Sequence, residues 1–169
     1  MANDLLELKD IRPGNLYLVE SAEEEDSRAV NHEYALQLFA ALVLKNKCGL
    51  AITRKPLDEK AFEGVRKYWL VDPVTATDDA RIPLNSLERI IRAVTDSTGE
   101  TPVILGGMES LESYNGFDSV YRAINKLHDL AIEKKCVILL LVNPKSFTEL
   151  NYNRLKALAT PRKPNIEIS

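Results

Sequence analysis

Apolar residues along this chain fall into two kinds of pattern. Short runs bounded by turn-forming residues occupy 16–20, 49–53, 67–71, 103–106 and 136–142, and runs of this length predict β-strands. The last contains Val137-Ile138-Leu139-Leu140-Leu141-Val142, without alternation. A strand that is apolar on both sides needs cover on both, which places it at the centre of a parallel sheet flanked by helices. Between the runs the spacing changes to three and four. One set is Ala35, Leu38, Phe39, Leu42 and Val43; the next is Leu87, Ile90, Ile91 and Val94. Phe117, Val120, Tyr121, Ile124, Leu127, His128 and Ala131 predict the longest helix, and Phe147, Leu150, Leu155 and Leu158 a shorter one after it.

Three helix starts are marked by a capping side chain ahead of an acidic one: Asn85 with Glu88, Asn115 with Asp118, and Ser146 with Glu149. A weaker helix is predicted over 58–65. The stretch 73–83, with Thr75, Thr77, Asp78 and Asp79 between two prolines, reads as a polar loop. Trp69, the only tryptophan, falls inside a strand run and is expected in the core. The tail 161–169 holds two prolines but ends Ile166-Glu167-Ile168, which leaves a short edge strand and a mobile end both open. Strands alternating with helices imply right-handed crossovers and a mainly parallel sheet.

At 169 residues, 45% hydrophobic and 28% charged, the chain has the size and composition of one globular domain. Its core is expected at about 13–158, with an N-terminal extension 1–12 and a tail 159–169. A net charge of −3 gives no long-range attraction for nucleic acid or an anionic membrane. The one basic cluster, Arg154, Lys156, Arg162 and Lys163, reads first as a solvated face. The start of the chain lacks a basic then apolar leader, and the longest apolar runs are too short to cross a bilayer, so a cytoplasmic protein is expected. Cys48 and Cys136 each head an apolar run, predicting buried thiols in a reducing compartment. His32 and His128 stand apart from each other and from the cysteines, so no metal site is expected. No Gly-x-Ser-x-Gly elbow or nucleophilic cysteine context occurs, and no cofactor is implied.

Read in order, Tyr17-Leu18-Val19-Glu20, Ala35-Leu36-Gln37-Leu38-Phe39 and Gly49-Leu50-Ala51-Ile52-Thr53-Arg54 resemble the opening of the RecA/KaiC-like ATPases. They resemble more closely the archaeal domain-of-unknown-function 835 family. Further matches to that family are Trp69-Leu70, Val103-Ile104-Leu105-Gly106-Gly107-Met108-Glu109-Ser110-Leu111, Asn115-Gly116-Phe117 and Val142-Asn143-Pro144. The resemblance implies an α/β, RecA-like three-layer sandwich: a mainly parallel five-stranded sheet, ordered one, five, four, two, three, with helices on both faces. It implies no activity.

Against the ATPases the sequence departs at two places. A phosphate-binding loop needs glycines whose N–H groups cradle phosphate, a lysine, and a Ser or Thr for Mg²⁺. No glycine occurs between Gly14 and Gly49, and the connection after Glu20 carries Glu23-Glu24-Glu25-Asp26, which repels a triphosphate. It is expected to be a solvated connection. The run 103–106 ends in Gly106 where such enzymes place a Mg²⁺-supporting Asp. P-loop phosphoryl transfer is therefore not expected.

In a doubly wound sheet, ligands bind beyond the carboxyl ends of the strands. Thr53-Arg54-Lys55, Asp72-Pro73, Met108-Glu109 and Asn143-Pro144-Lys145 fall there, with Asn115 near the third. The candidate rim residues are Thr53, Arg54, Glu109, Asn115, Asn143 and Lys145. Each also has an ordinary structural account: Asn and Pro turn the chain, Asn115 caps a helix, and Arg54 pairs with a neighbouring acid. The leading expectation is a non-catalytic protein-interaction or regulatory domain, with a second copy of itself among the candidate partners. The alternative is a small-anion or nucleotide-binding protein using the rim around Arg54. Nucleic-acid binding through the basic tail ranks third.

Overall fold

The computed structural model describes residues 11–20, 22–23, 30–31, 33–55 and 62–162. The chain runs β1 (Asn15–Glu20), β2 (Ala22–Glu23), β3 (Val30–Asn31), α1 (Glu33–Asn46), β4 (Gly49–Thr53), β5 (Val65–Val71) and β6 (Arg81–Pro83). It continues through α2 (Leu87–Asp96), β7 (Val103–Leu105), α3 (Met108–Asn115), α4 (Phe117–Lys134), β8 (Val137–Val142), α5 (Glu149–Leu158) and β9 (Thr160–Arg162). Seven strands form one sheet in the order β6-β5-β4-β7-β8-β1-β9, all neighbours parallel. The five expected strands stand in the expected order. The sheet exceeds five because β6 and β9 extend its two edges.

All six residues of β8 are buried. It pairs with β1 from Asn15↔Val137 to Glu20↔Val142 and with β7 from Val103↔Ile138 to Leu105↔Leu140. Alternate side chains of the central strands enter two separate cores. Leu16, Leu18, Leu50, Ile52, Ile138 and Leu140 pack with residues of α2, α3, α4 and α5. Tyr17, Val19, Ala51, Ile104, Leu139 and Leu141 pack with Ala35, Leu38, Phe39 and Leu42 of α1. Helices thus cover both faces, four on one and one on the other among the described residues. α1 lies close on the sheet: a Cβ on Gly49 would stand 2.7 Å from Val43 and 3.1 Å from Phe39.

Several local expectations are corrected. The stretch 73–83 is not all loop, since Pro73–Thr75 forms a 3-10 turn and Arg81–Pro83 pairs with β5 as an edge strand. Three residues with a proline among them carry too weak a pattern to announce a strand. α3 was not expected; only Met108 and Leu111 of its residues are buried, too few to display a period. Asn115 ends α3 and does not cap α4, which follows Gly116 at φ 83°. α2 follows Ser86 instead of Asn85, and α5 follows Thr148 instead of Ser146; the Thr148 hydroxyl accepts from the Asn151 N–H at 3.1 Å.

Of the weak helix over 58–65, residues 58–61 lie outside the described residues, while 62–64 form a turn and Val65 opens β5. The tail supplies an edge strand at Thr160–Arg162, and Ile166-Glu167-Ile168 lies outside the described residues. The connection after β1 is not wholly irregular, for β2 and β3 pair as an antiparallel ribbon; Glu24, Glu25 and Asp26 lie outside the described residues. Cys136 is buried, which pushes its thiol up from the usual range, but Cys48 is only half-buried. No described helix is long and apolar enough to cross a membrane.

Leu140 is fully enclosed in the four-helix side of the core. Leu140→Ala is expected to cost about 2–5 kcal/mol of unfolding free energy in urea titration. Preservation of wild-type stability would show that β8 is not the centre of the core.

Candidate functional site

Parallel strands bring their carboxyl ends to one rim, where the expected polar groups do collect. Thr53 ends β4 almost wholly buried, and its hydroxyl donates to the Lys55 carbonyl at 2.5 Å. Arg54 follows on the surface. Among the described residues its hydrogen-bond partner is a carbonyl and not an acid: Nη1 donates to the Leu70 carbonyl at 2.7 Å, tying the end of β4 to β5. Its stem lies against Gly107, where a Cβ would come within 2.8 Å of Arg54 Cγ. Gly107 also has φ 77°, so two constraints call for glycine there.

Trp69 corrects the expectation of a core residue. It is 36% exposed, near the carboxyl end of β5. Its Nε1–H donates to the Arg54 carbonyl at 2.8 Å, and the Arg81 guanidinium lies 5.0 Å from its ring centroid. Arg81 is directly opposite in register on β6 and donates to Thr77 Oγ1 at 2.8 Å. The indole is therefore held from its edge and its face while remaining open to solvent.

Beyond β5, Asp72 Oδ1 accepts from the Tyr114 hydroxyl at 2.7 Å, joining the rim to α3. That bond first, then desolvation and the Asp72 charge, raises the Tyr114 hydroxyl above the usual phenol range, against an opposing pull from Arg54. Arg54, Trp69, Asp72, Arg81 and Tyr114 thus form one connected group.

The other candidates form a second. Glu109 Oε2 accepts from Ser146 Oγ at 2.6 Å, and Asn143 Oδ1 accepts from the Lys145 N–H at 3.1 Å. Lys145 itself is exposed. Asn115 joins neither group: its side-chain amide donates to the Leu84 and Leu111 carbonyls at 2.9 and 2.8 Å. At the end of β1, Glu20 accepts a hydrogen bond from the Tyr152 hydroxyl of α5. Burial first, then the bond and charge of Glu20, pushes that hydroxyl far above the usual phenol range.

Three carboxylates of the rim, Glu20, Asp72 and Glu109, are each met by a hydroxyl from a helix or turn of the four-helix face. The first turn of α1, which in a P-loop protein faces phosphate, carries Glu33, with Gln37 donating to it at 3.3 Å. A carboxylate there complements the helix dipole and opposes an anion. In the basic cluster, Arg154 pairs with Asp118 at 3.1 Å and lies over the Phe117 and Tyr121 rings, while Lys156 lies over Tyr152. Lys163 is outside the described residues.

Sequence reasoning missed Trp69, Arg81 and Tyr114 as surface groups. A usable signal existed for the first: Arg66 and Lys67 break the apolar run just before it, unlike the unbroken β8. Tyr114 and Asp72 meet only through folding, from positions 42 apart. The family model described as a protein of unknown function (DUF835) matches residues 29–158. No curated protein matches the chain.

Tyr152→Phe deletes the bond to Glu20 and is expected to cost about 1–3 kcal/mol, read as a lower melting temperature near neutral pH. The raised folded-state Tyr152 contributes stability that is full below about pH 10, the unfolded phenol value, and is lost as pH rises above it. Melting temperature should therefore fall less steeply above about pH 10 in Tyr152→Phe than in the wild type. Equal slopes would mean that Tyr152 does not carry this proton.

Proposed function

The chain belongs to the domain-of-unknown-function 835 family, and we propose that it works there as a non-catalytic protein-interaction domain with a degenerate RecA/KaiC-like fold, acting in the cytoplasm. The observation that carries this reading is Trp69, solvent-open yet fixed between the Arg54 carbonyl and the Arg81 guanidinium. Trp, Tyr and Arg dominate binding energy at protein interfaces, and a side chain already held in place loses little freedom on docking. Arg54, Arg81 and Tyr114 complete that composition around it, with the well-exposed Val74 on the adjoining turn.

The inward rim supports the same reading from the other side. Thr53, Arg54, Glu109, Asn115 and Asn143 each make bonds that shape the protein's own turns and helix ends. A nucleotide site needs donors and cations converging on an open space, and preorganised charge stabilisation supplies nearly all of phosphoryl-transfer catalysis. Here carboxylates stand at the ends of β1 and β5, in α3 and at the start of α1.

Affinity purification of the tagged chain from its native host is expected to recover a stoichiometric protein partner whose affinity drops about thirty-fold or more in the Trp69→Ala, Arg81→Ala double variant. In parallel, a nucleotide panel should leave the melting temperature unchanged, since any ligand that prefers the folded state raises it. Stabilisation by a nucleotide or small anion that vanishes in Arg54→Ala would replace this proposal with an anion-binding function.

A further inference from the structure

α1 carries a second surface, of different chemistry. From Tyr34 to Leu44 it holds no charged residue, and its polar side-chain groups are the Tyr34 hydroxyl and the Gln37 amide. A helix that is apolar all round is normally enclosed on every side. Ala35, Leu38, Phe39 and Leu42 face the sheet. Helical spacing puts Leu36, Ala40 and Leu44 on the opposite side, one turn apart. Leu44 is 81% exposed, while Leu36 and Ala40 are partly buried and pack at the edge of the core beneath α1.

We propose that this face binds the same face of a second copy of the chain, the two α1 helices lying antiparallel across a two-fold axis at Ala40. The reason is the order of residues along the stripe, which is self-complementary. Glu33 begins it, followed by Leu36, Ala40 and Leu44, and the exposed Lys47, at φ 62°, closes the helix just beyond. Turned about Ala40, Leu36 meets the other copy's Leu44 and Glu33 meets its Lys47. Each leucine contact and each opposite-charge contact then occurs twice, as a two-fold interface requires. Ala40 on the axis lets the backbones approach closely, and the exposed charges at the ends fix the direction, since a parallel pair would set like charges together. An acidic or basic partner would find one end of this stripe repulsive; a second copy finds neither.

Sedimentation velocity of the full chain at low to high micromolar concentration tests the proposal. The wild type is expected to be a dimer whose dissociation constant rises about thirty-fold or more in Leu44→Glu, with circular dichroism and the dilute-solution melting temperature unchanged. The register has its own readout. In a Cys48→Ser background, oxidation should link Ala40→Cys into a covalent dimer, whereas Lys126→Cys on α4 should not link.

Trp69 and Arg81 are not part of the stripe, so the Trp69→Ala, Arg81→Ala variant should sediment as the wild type does. A wild-type monomer throughout the range, a dimer indifferent to Leu44→Glu, or failure of Ala40→Cys to link would each overturn it. The first would leave the stripe to another protein or another segment of this chain.

Discussion

Burial of β8 on both of its faces is the constraint around which the molecule is arranged. Side chains of Val137–Val142 point alternately into the two cores, and all six are buried. Enclosing each is worth roughly 1.5–3 kcal/mol relative to exposure, which no sheet with one open face could collect. The demand for cover on both sides forces parallel neighbours with helical crossovers, since a hairpin return would leave one face bare. β1 and β7 flank β8, and β4, outside β7, is still buried throughout, so apolar character declines only at β5 beyond it. β5 shows the decline along its own length, with Arg66 and Lys67 preceding Leu70 and Val71.

The cover is unequal. Four helices serve one face and α1 alone the other among the described residues. On the crowded face, α3, α5 and the turn at Pro144–Ser146 reach the rim and send Tyr114, Tyr152 and Ser146 to the carboxylates there. On the thin face, one helix must shield the sheet. This explains why α1 is so apolar and fits so closely at Gly49.

The parts of this arrangement set by burial were legible in the sequence. The unbroken run at 137–142 announced a central strand, and the periodic sets at 35–43, 87–94 and 117–131 announced helices because their apolar stripes are wide. What went unread depends on short segments and distant partners. β6 and α3 are too brief to show a period, and the true cap of α5 is Thr148 because backbone geometry, not residue preference alone, selects the cap. At the rim, the positions of Thr53, Arg54, Glu109 and Asn143 followed from strand ends. Their bonds did not, because Leu70 and Ser146 lie far along the chain from the groups they meet.

The rim around Trp69 and the stripe on α1 differ in a way that bears on how each would bind. The rim mixes an indole and a phenol with guanidinium and carboxylate groups, so a partner leaving it returns every polar group to water or to an internal bond. That composition matches reversible interfaces, which are about as polar as ordinary surface and draw strength from a few aromatic and arginine anchors. The α1 stripe carries only Leu36, Ala40 and Leu44 between its charged ends. Apolar composition of that kind belongs to long-lived association, where exposure of the separated face is the main cost of dissociation. A stable pair through α1 would carry two Trp69 surfaces, and if both stay accessible the pair is a two-headed binder whose strength toward a repeated or clustered target exceeds that of either surface alone.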